Sequence, residues 1–196
     1  MRLLKVAAGL LTFAIASIAP ALAHAQIVTN GNFASGSAGW TYNPSSDHPW
    51  TFDGSAPNTY ASTGCVGAQC ITGTMAQQAY LYQDLTTVAG DTYTLSFEFA
   101  GDGNAMELQA WFGGTLAEDL VNIGDTGLEE YVIPDLVATS TTTELEFLGR
   151  QDPGYDELTD VSVTTGSSVT PEPGTLGLLG TGVLGLLGFA RRKFSV

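Results

Sequence analysis

A period-two alternation of apolar and polar residues is the feature that most constrains how this chain folds. In residues 92–100, Tyr93, Leu95, Phe97 and Phe99 alternate with polar residues, and similar alternation recurs in 106–112, 144–148 and 160–163. Successive side chains of a strand point to opposite faces, so these runs predict strands with one buried and one wetter face. That pattern is typical of antiparallel sheets.

Clusters of Gly, Asp, Asn and Pro separate the alternating runs, for example at 101–104, 113–114 and 152–154. They predict turns between short strands. The predicted strands are Ile27–Phe33, Trp40–Tyr42, Tyr60–Ser62, Ala79–Leu85, Thr92–Ala100, Met106–Phe112, Leu116–Asn122, Glu130–Leu136, Thr143–Gly149 and Leu158–Thr164. We therefore predict an all-β fold over residues 26–166, an antiparallel β-sandwich of the jelly-roll type.

The first 25 residues have the three parts of a signal peptide. Arg2 and Lys5 precede an apolar run, and small residues, Ala23 and Ala25, stand before the predicted cleavage site. These features predict export, with a mature chain that starts near Gln26. A retained N-terminal anchor is the alternative.

The C-terminal end predicts a second targeting segment. A Pro- and Ser-containing linker at 167–174 leads into a Gly- and Leu-rich stretch at 175–190, and Arg191, Arg192 and Lys193 follow it. Sixteen helical residues span about 24 Å, less than the roughly 30 Å of a bilayer's hydrocarbon core. We predict a short transmembrane helix within 175–196, whose basic end stays in the cytoplasm while the body lies outside.

The chain's charge excludes one class of partner. The formal net charge is −14, and residues 26–168 contain 19 of the 20 carboxylates and a single cation, Arg150. Such a body repels phosphate backbones, so we expect no nucleic-acid partner.

The C-terminal arrangement resembles the PEP-CTERM sorting signal of Gram-negative bacteria: a Pro-Glu-Pro motif, a short apolar span and a basic cluster. The resemblance implies that Pro171, Glu172 and Pro173 are recognised by an exosortase, a membrane-embedded processing enzyme. It also implies that Arg191, Arg192 and Lys193 stop transfer at the inner membrane, and that the protein reaches the cell surface or extracellular matrix. The alternative is an ordinary C-terminal anchor with a Pro-rich stalk.

Several stretches of the body resemble galactose-binding-like jelly rolls of carbohydrate-binding modules. They are residues 28–33 with Gly39-Trp40, 83–97, 112–114 and 147–163. The resemblance implies a fold that usually binds or scaffolds and does not catalyse. It also implies a structural calcium ion between the first and last strands, near Asn30, Asn32 and Asp160.

Cys65 and Cys70 are the two cysteines of the chain. Cysteines this close in an exported protein predict a disulfide. A redox or zinc site is the alternative, although no further ligands stand near the pair.

The sequence favours a protein without catalytic residues. After processing, His48 is the one histidine that remains, which removes the usual general base of a Ser-His-Asp arrangement. A glycan-cleaving hydrolase would instead need two facing carboxylates, and the candidates for such a pair are Glu98, Glu107, Glu129 and Glu130. We expect these to be ordinary solvated acids.

Exposed aromatic rings are the side chains on which sugars stack. We predict ligand contacts at Trp50, Trp111 and Tyr155; further candidates are Tyr42, Tyr60, Tyr80 and Tyr82. We therefore expect an exported, non-enzymatic protein that binds or organises exopolysaccharide. A purely structural surface protein without a small ligand is the alternative, and a hydrolase is a third hypothesis.

Overall fold

The computed structural model describes residues 26–55 and 58–166. Ten strands and one short helix follow each other along the chain: β1 Thr41–Tyr42, β2 Thr51–Ser55, β3 Asn58–Thr63, α1 Gln69–Thr72, β4 Tyr80–Thr86, β5 Thr92–Ala100, β6 Ala105–Phe112, β7 Thr115–Val121, β8 Glu129–Val137, β9 Thr142–Asp152 and β10 Asp156–Thr165.

The strands form two five-stranded sheets. Sheet I has the order β1-β4-β9-β6-β7, and sheet II has the order β2-β3-β10-β5-β8. Every ladder is antiparallel. The predicted antiparallel β-sandwich is confirmed.

The core lies between the two sheets and is built by the predicted alternation. Tyr93, Leu95, Phe97 and Phe99 of β5 are all buried, while the residues between them are only partly buried. From the facing sheet, Phe147 of β9 meets Phe97 edge to face, with ring centroids 5.4 Å apart. Such edge-to-face contacts are favourable beyond the burial of apolar area.

Trp50 belongs to the interior, which corrects its prediction as a ligand contact. Its indole is 1% exposed, and its Nε1 donates a hydrogen bond to the Ala79 carbonyl at 2.9 Å. A side chain on Gly149 would place its Cβ 2.8 Å from the Trp50 ring, so the glycine makes room for the indole. Trp50 therefore offers no face to a ligand.

The predicted strand Ile27–Phe33 is wrong. Gln26 makes a single bridge to Thr164, after which the chain turns. Asn30 and Phe33 both have φ of 53°, in the left-handed region, which lies outside the extended conformation of a regular strand. The Asn30 side chain holds this loop by accepting the Ser35 N–H and donating to the Gly36 and Ala38 carbonyls. Residues 27–39 thus form a loop, here called the N-terminal loop.

The structure also differs from the prediction in the number of elements and in the length of one strand. β2 and α1 were not predicted, and β9 runs three residues beyond its predicted end at Gly149. The predicted signal peptide, linker and transmembrane segment lie outside the described residues. Within residues 26–55 and 58–166, no helix has the length and apolarity needed to cross a bilayer.

Candidate functional site

The outer surface of sheet I carries an unusual combination of aromatic rings and carboxylates. The inward residues of β4, β6 and β9 fill the core, so alternation turns their other side chains outward. We call seven residues on this side of the sheet the aromatic face: Tyr80, Tyr82, Glu107, Gln109, Trp111, Glu146 and Leu148. Asp84, Glu144 and Arg150 of the same strands also point to this side.

The strand register fixes the arrangement of this face. Tyr82 of β4 is opposite Glu146 of β9, which in turn is opposite Trp111 of β6. Adjacent strands lie about 4.8 Å apart, so the backbones carrying the two aromatic residues are roughly 10 Å apart. One carboxylate therefore stands between two rings in a single row. Tyr80 extends the aromatic surface, since its ring centroid is 5.9 Å from that of Tyr82.

A chain of side-chain hydrogen bonds runs along β6. Trp111 Nε1 donates to Gln109 Oε1 at 3.1 Å, and Gln109 Nε2 donates to Glu107 Oε1 at 2.9 Å. These bonds fix the direction of the indole and of the amide, which preorganises this strip of the face. Burial and the charge of Asp119 raise the pKa of Glu107, partly opposed by the Gln109 hydrogen bond and by Arg150.

Glu146 has a different environment. It is partly buried between Tyr82 and Trp111, and none of the described side chains forms a hydrogen bond or ion pair with its carboxylate. Burial and the charge of Glu144 raise its pKa. An incompletely solvated carboxylate without a partner gains from any donor or cation placed beside it.

The three predicted ligand residues do not converge. Trp111 lies on the aromatic face and Trp50 lies in the core. Tyr155 is 55% exposed and lies elsewhere, beside an open cavity of about 340 Å³ that includes Tyr60 and Glu157. The structure therefore gives one predicted residue, Trp111, a place within a larger group of aromatic and polar side chains.

The predicted calcium ligands do share one cavity. Asn30, Asn32 and Asp160 line a depression of about 420 Å³ between the N-terminal loop and β10. Asp160 is the one carboxylate among the residues that line it, and both Asn30 and Asn32 already accept a backbone N–H from within the loop. In residues 26–55 and 58–166 there is no cluster of three or more His, Cys, Asp or Glu side chains suited to a metal. The donor set fits a weak calcium site at most, and calcium binding stays a prediction.

The predicted disulfide is confirmed between Cys65 and Cys70, both fully buried. The bridge joins the segment before α1 to Cys70, which lies within α1. The Cys65 carbonyl accepts the Gln151 N–H of β9, and the Cys70 carbonyl accepts the Ala79 N–H. The cross-link thus holds a local excursion against sheet I.

The candidate hydrolytic carboxylates are divided between the two sheets. Glu98 and Glu130 are opposite each other on β5 and β8 of sheet II, with Glu129 next to them, while Glu107 lies on the aromatic face. On that face Glu107 and Glu146 lie on the neighbouring strands β6 and β9 and are offset by four residues along the strands. Their backbones are therefore about 14 Å apart. A glycosidase pair lies roughly 5–10 Å apart. The spacing of Glu107 and Glu146 therefore does not suit joint attack on one glycosidic bond, whereas Glu98 and Glu130 are close cross-strand neighbours on sheet II.

The end of the chain beyond this body has a recognisable sequence. Residues 169–193 match the PEP-CTERM protein-sorting motif. The chain carries a PEP-CTERM sorting signal. The match contains Pro171, Glu172, Pro173 and the basic cluster, all outside the described residues, and it implies an exported protein that an exosortase processes. No curated protein matches the sequence of this chain.

Several solved structures share the fold of the body. The module TmCBM61, solved in complex with β-1,4-galactotriose, has a TM-score of 0.53 and 10% identity, covering 72% of this chain and 99% of its own. A protein assigned as sugar-binding from Bacteroides thetaiotaomicron has a TM-score of 0.53 and 13% identity over 72% of this chain and 100% of its own. The enzymatically active domain of tailspike protein 4 of bacteriophage CBA120 has a TM-score of 0.51 and 15% identity, covering 71% of this chain and 21% of its own. At these identities the similarity establishes a carbohydrate-binding-module-like β-sandwich and nothing finer.

Sequence reasoning missed Glu146 as a site residue and named Tyr80 and Tyr82 only as further candidates. The signal was present, because two tyrosines two residues apart share one face of a strand. What the sequence lacked was the strand order. β9 is inserted between β4 and β6 and carries Glu146 into the row between Tyr82 and Trp111.

Proposed function

We propose that this protein is a non-catalytic, surface-displayed polysaccharide-binding protein. In this proposal residues 175–196 tether the precursor in the inner membrane, with the body on the periplasmic side. An exosortase then processes the chain at its sorting signal, and the mature protein remains at the cell surface or in the extracellular matrix. There the aromatic face binds or organises exopolysaccharide.

The observation that carries the proposal is the arrangement of Tyr80, Tyr82 and Trp111 on one sheet surface. Flat apolar sugar faces stack on such rings. Gln109 and Glu146 place hydrogen-bonding groups beside them, which suits ring hydroxyls. A few oriented polar groups among aromatic rings are the composition expected of a ligand site.

Support also comes from proteins of the same fold, since TmCBM61 was solved with a bound galactotriose. Catalysis receives less support. Glu107 and Glu146 on the aromatic face are too far apart for a glycosidase pair, and the cross-strand neighbours Glu98 and Glu130 lie on sheet II, away from the aromatic face.

Affinity electrophoresis and pull-down of the full-length chain, purified in mild detergent, test the proposal. The probes are galactan, xylan, cellulose, chitin, partly deacetylated chitin and a polyuronate. We expect at least one to bind, and we expect Tyr82→Ala or Trp111→Ala to weaken that binding about tenfold, because one lost stacking contact is worth roughly 1 kcal/mol.

Tyr60→Ala is the matched control, because it removes a partly exposed tyrosine from the outer surface of sheet II. It should bind like the wild type. Failure to bind any probe would favour the structural alternative, whereas release of reducing ends from a probe would indicate a hydrolase. If Tyr82→Ala, Trp111→Ala and Tyr60→Ala all lose the same affinity for a probe, the aromatic face is not the binding site.

A further inference from the structure

We propose that the aromatic face prefers polysaccharides with free amino groups, and that Glu146 binds the sugar ammonium group between Tyr82 and Trp111. The inference rests on the proposed polysaccharide binding and names its ligand class: a partly deacetylated amino-sugar polymer.

The first argument is the order of the three side chains. Tyr82, Glu146 and Trp111 occupy one row across three neighbouring strands, so an aromatic ring stands on each side of the carboxylate. The faces of aromatic rings attract cations, and indole does so most strongly. A carboxylate between two rings offers an ammonium group both a charge-assisted hydrogen bond and cation–π contacts.

The second argument is that Glu146 has no cation of its own. Arg150 is the one Lys or Arg in residues 26–166, and it pairs with Asp152 at 3.5 Å. It is four residues from Glu146 along β9, or about 13 Å of strand. Glu146 is also partly buried, without a hydrogen-bond partner among the described side chains. A ligand that brings a positive charge relieves this unfavourable state.

The third argument concerns the alternatives. Uronic-acid polymers are repelled by a body that has 19 carboxylates and one cation in residues 26–168. Neutral sugars can stack on the rings and donate hydroxyl hydrogen bonds to Glu146, but they leave its charge uncompensated. Amino sugars stack in the same way and also supply the charge. We therefore expect a preference for amino sugars over otherwise identical neutral ones.

The test compares two probes of equal length: chitin oligosaccharides, which are fully acetylated, and their fully deacetylated counterparts. Binding to the full-length chain in mild detergent is measured by calorimetry at mildly acidic pH, where the amine is protonated. We expect the deacetylated oligosaccharide to bind at least about tenfold more tightly, since a partly desolvated cation–π and ion-pair contact is worth roughly 1–2 kcal/mol.

Glu146→Gln should reduce the affinity for the deacetylated probe to about that for the acetylated probe, because it removes the charge and keeps an oxygen that accepts hydroxyl hydrogen bonds. Glu144→Gln is the matched control, because it removes the same charge two residues away on the same side of β9. It should keep the preference, since Glu144 raises the pKa of Glu146 and its loss favours the Glu146 anion.

The outcomes separate the two proposals. Equal affinity for both probes overturns the amino-sugar inference and leaves polysaccharide binding intact. If Glu144→Gln and Glu146→Gln lose equal affinity for the deacetylated probe, the inference is also overturned, because the probe is then attracted nonspecifically to an acidic body. If neither these oligosaccharides nor the polysaccharide panel binds, both proposals fail.

Discussion

At the scale of single residues, Asp156 departs most from the behaviour of an exposed carboxyl group. It is completely buried at the start of β10, where its Oδ1 accepts the Thr63 N–H at 3.0 Å. Its Oδ2 has no hydrogen-bond partner among the described residues, and neither has the buried Oε1 of Gln151. Burial raises the pKa of Asp156 to about 8, against the opposing Thr63 hydrogen bond and with a contribution from the charge of Asp102. Asp156 is thus protonated in the folded protein at neutral pH.

This raised pKa predicts a loss of stability as the pH rises. The carboxyl group of Asp156 has a pKa of about 8 in the fold, whereas the ordinary value of an aspartate in the unfolded chain is 3.8. Between these values the unfolded chain releases the proton that the folded protein retains, so the free energy of unfolding falls through that window and levels off above it. Asp156→Asn stays neutral, and it should be more stable than the wild type at pH about 9, by on the order of 5 kcal/mol.

Urea unfolding at pH about 5 and about 9 measures this difference. Asp135→Asn is the control, because Asp135 is exposed on β8 and already has a positive φ that asparagine tolerates. If Asp156→Asn loses as much stability as the wild type between pH about 5 and about 9, groups other than Asp156 cause the loss.

At the scale of elements, the N-terminal loop shows how local hydrogen bonds replace a strand. Phe33 and Trp40 still reach the core, and their ring centroids lie 5.4 Å apart. The Trp40 Nε1 donates to the Asn30 carbonyl, and the Gly31 carbonyl accepts the Val161 N–H of β10. Phe33 and Trp40 are therefore buried although the backbone does not pair as a strand.

Calcium, if it binds here, acts on this junction of loop and β10. With a single carboxylate, Asp160, we expect affinity no better than roughly 10⁻⁴–10⁻³ M, the range of weak extracellular sites. Millimolar calcium should then raise the melting temperature of the wild type, and EDTA should reverse the rise. Differential scanning calorimetry of Asp160→Asn should show no such rise.

Glu130→Gln is the control, since it removes an exposed carboxylate from β8 on the far edge of sheet II. An identical calcium response in both variants would mean that calcium acts through the overall acidity of the body. The absence of any response in the wild type would refute the calcium prediction.

At the scale of the whole molecule, an acidic β-sandwich is joined to a C-terminal sorting signal. The body has a net charge of −18 over residues 26–168, while the three cations of the basic cluster follow the apolar segment. Concentrating positive charge at one end favours a single orientation in the membrane. In the proposed function, the sorting signal determines where the aromatic face is displayed.

We expect the exported protein to lack its C-terminal end. Mass spectrometry of the mature protein should find a C-terminus near the Pro171-Glu172-Pro173 motif, without Phe194-Ser195-Val196. Replacing the three motif residues by alanine should leave the full C-terminus in place, as should a host that lacks the exosortase. An intact C-terminus on the exported wild-type protein would contradict processing.

The sequence by itself determined the class of fold and the C-terminal sorting signal. Period-two alternation predicted most strands of both sheets because each strand's own residues record which side is buried. The disulfide and the sorting signal could also be predicted from the sequence, since both depend on residues close together in the chain.

Only the tertiary structure decided which outward residues meet. The order β4-β9-β6 joins side chains from residues 82, 111 and 146, and it depends on strand pairing over the whole chain. The same limit applies to Trp50, which local sequence could not distinguish from an exposed ring, because the groups it contacts, Ala79 and Gly149, lie far from it along the chain. Alternation fixes the face of a residue within a strand, whereas its neighbours across strands are fixed by long-range packing.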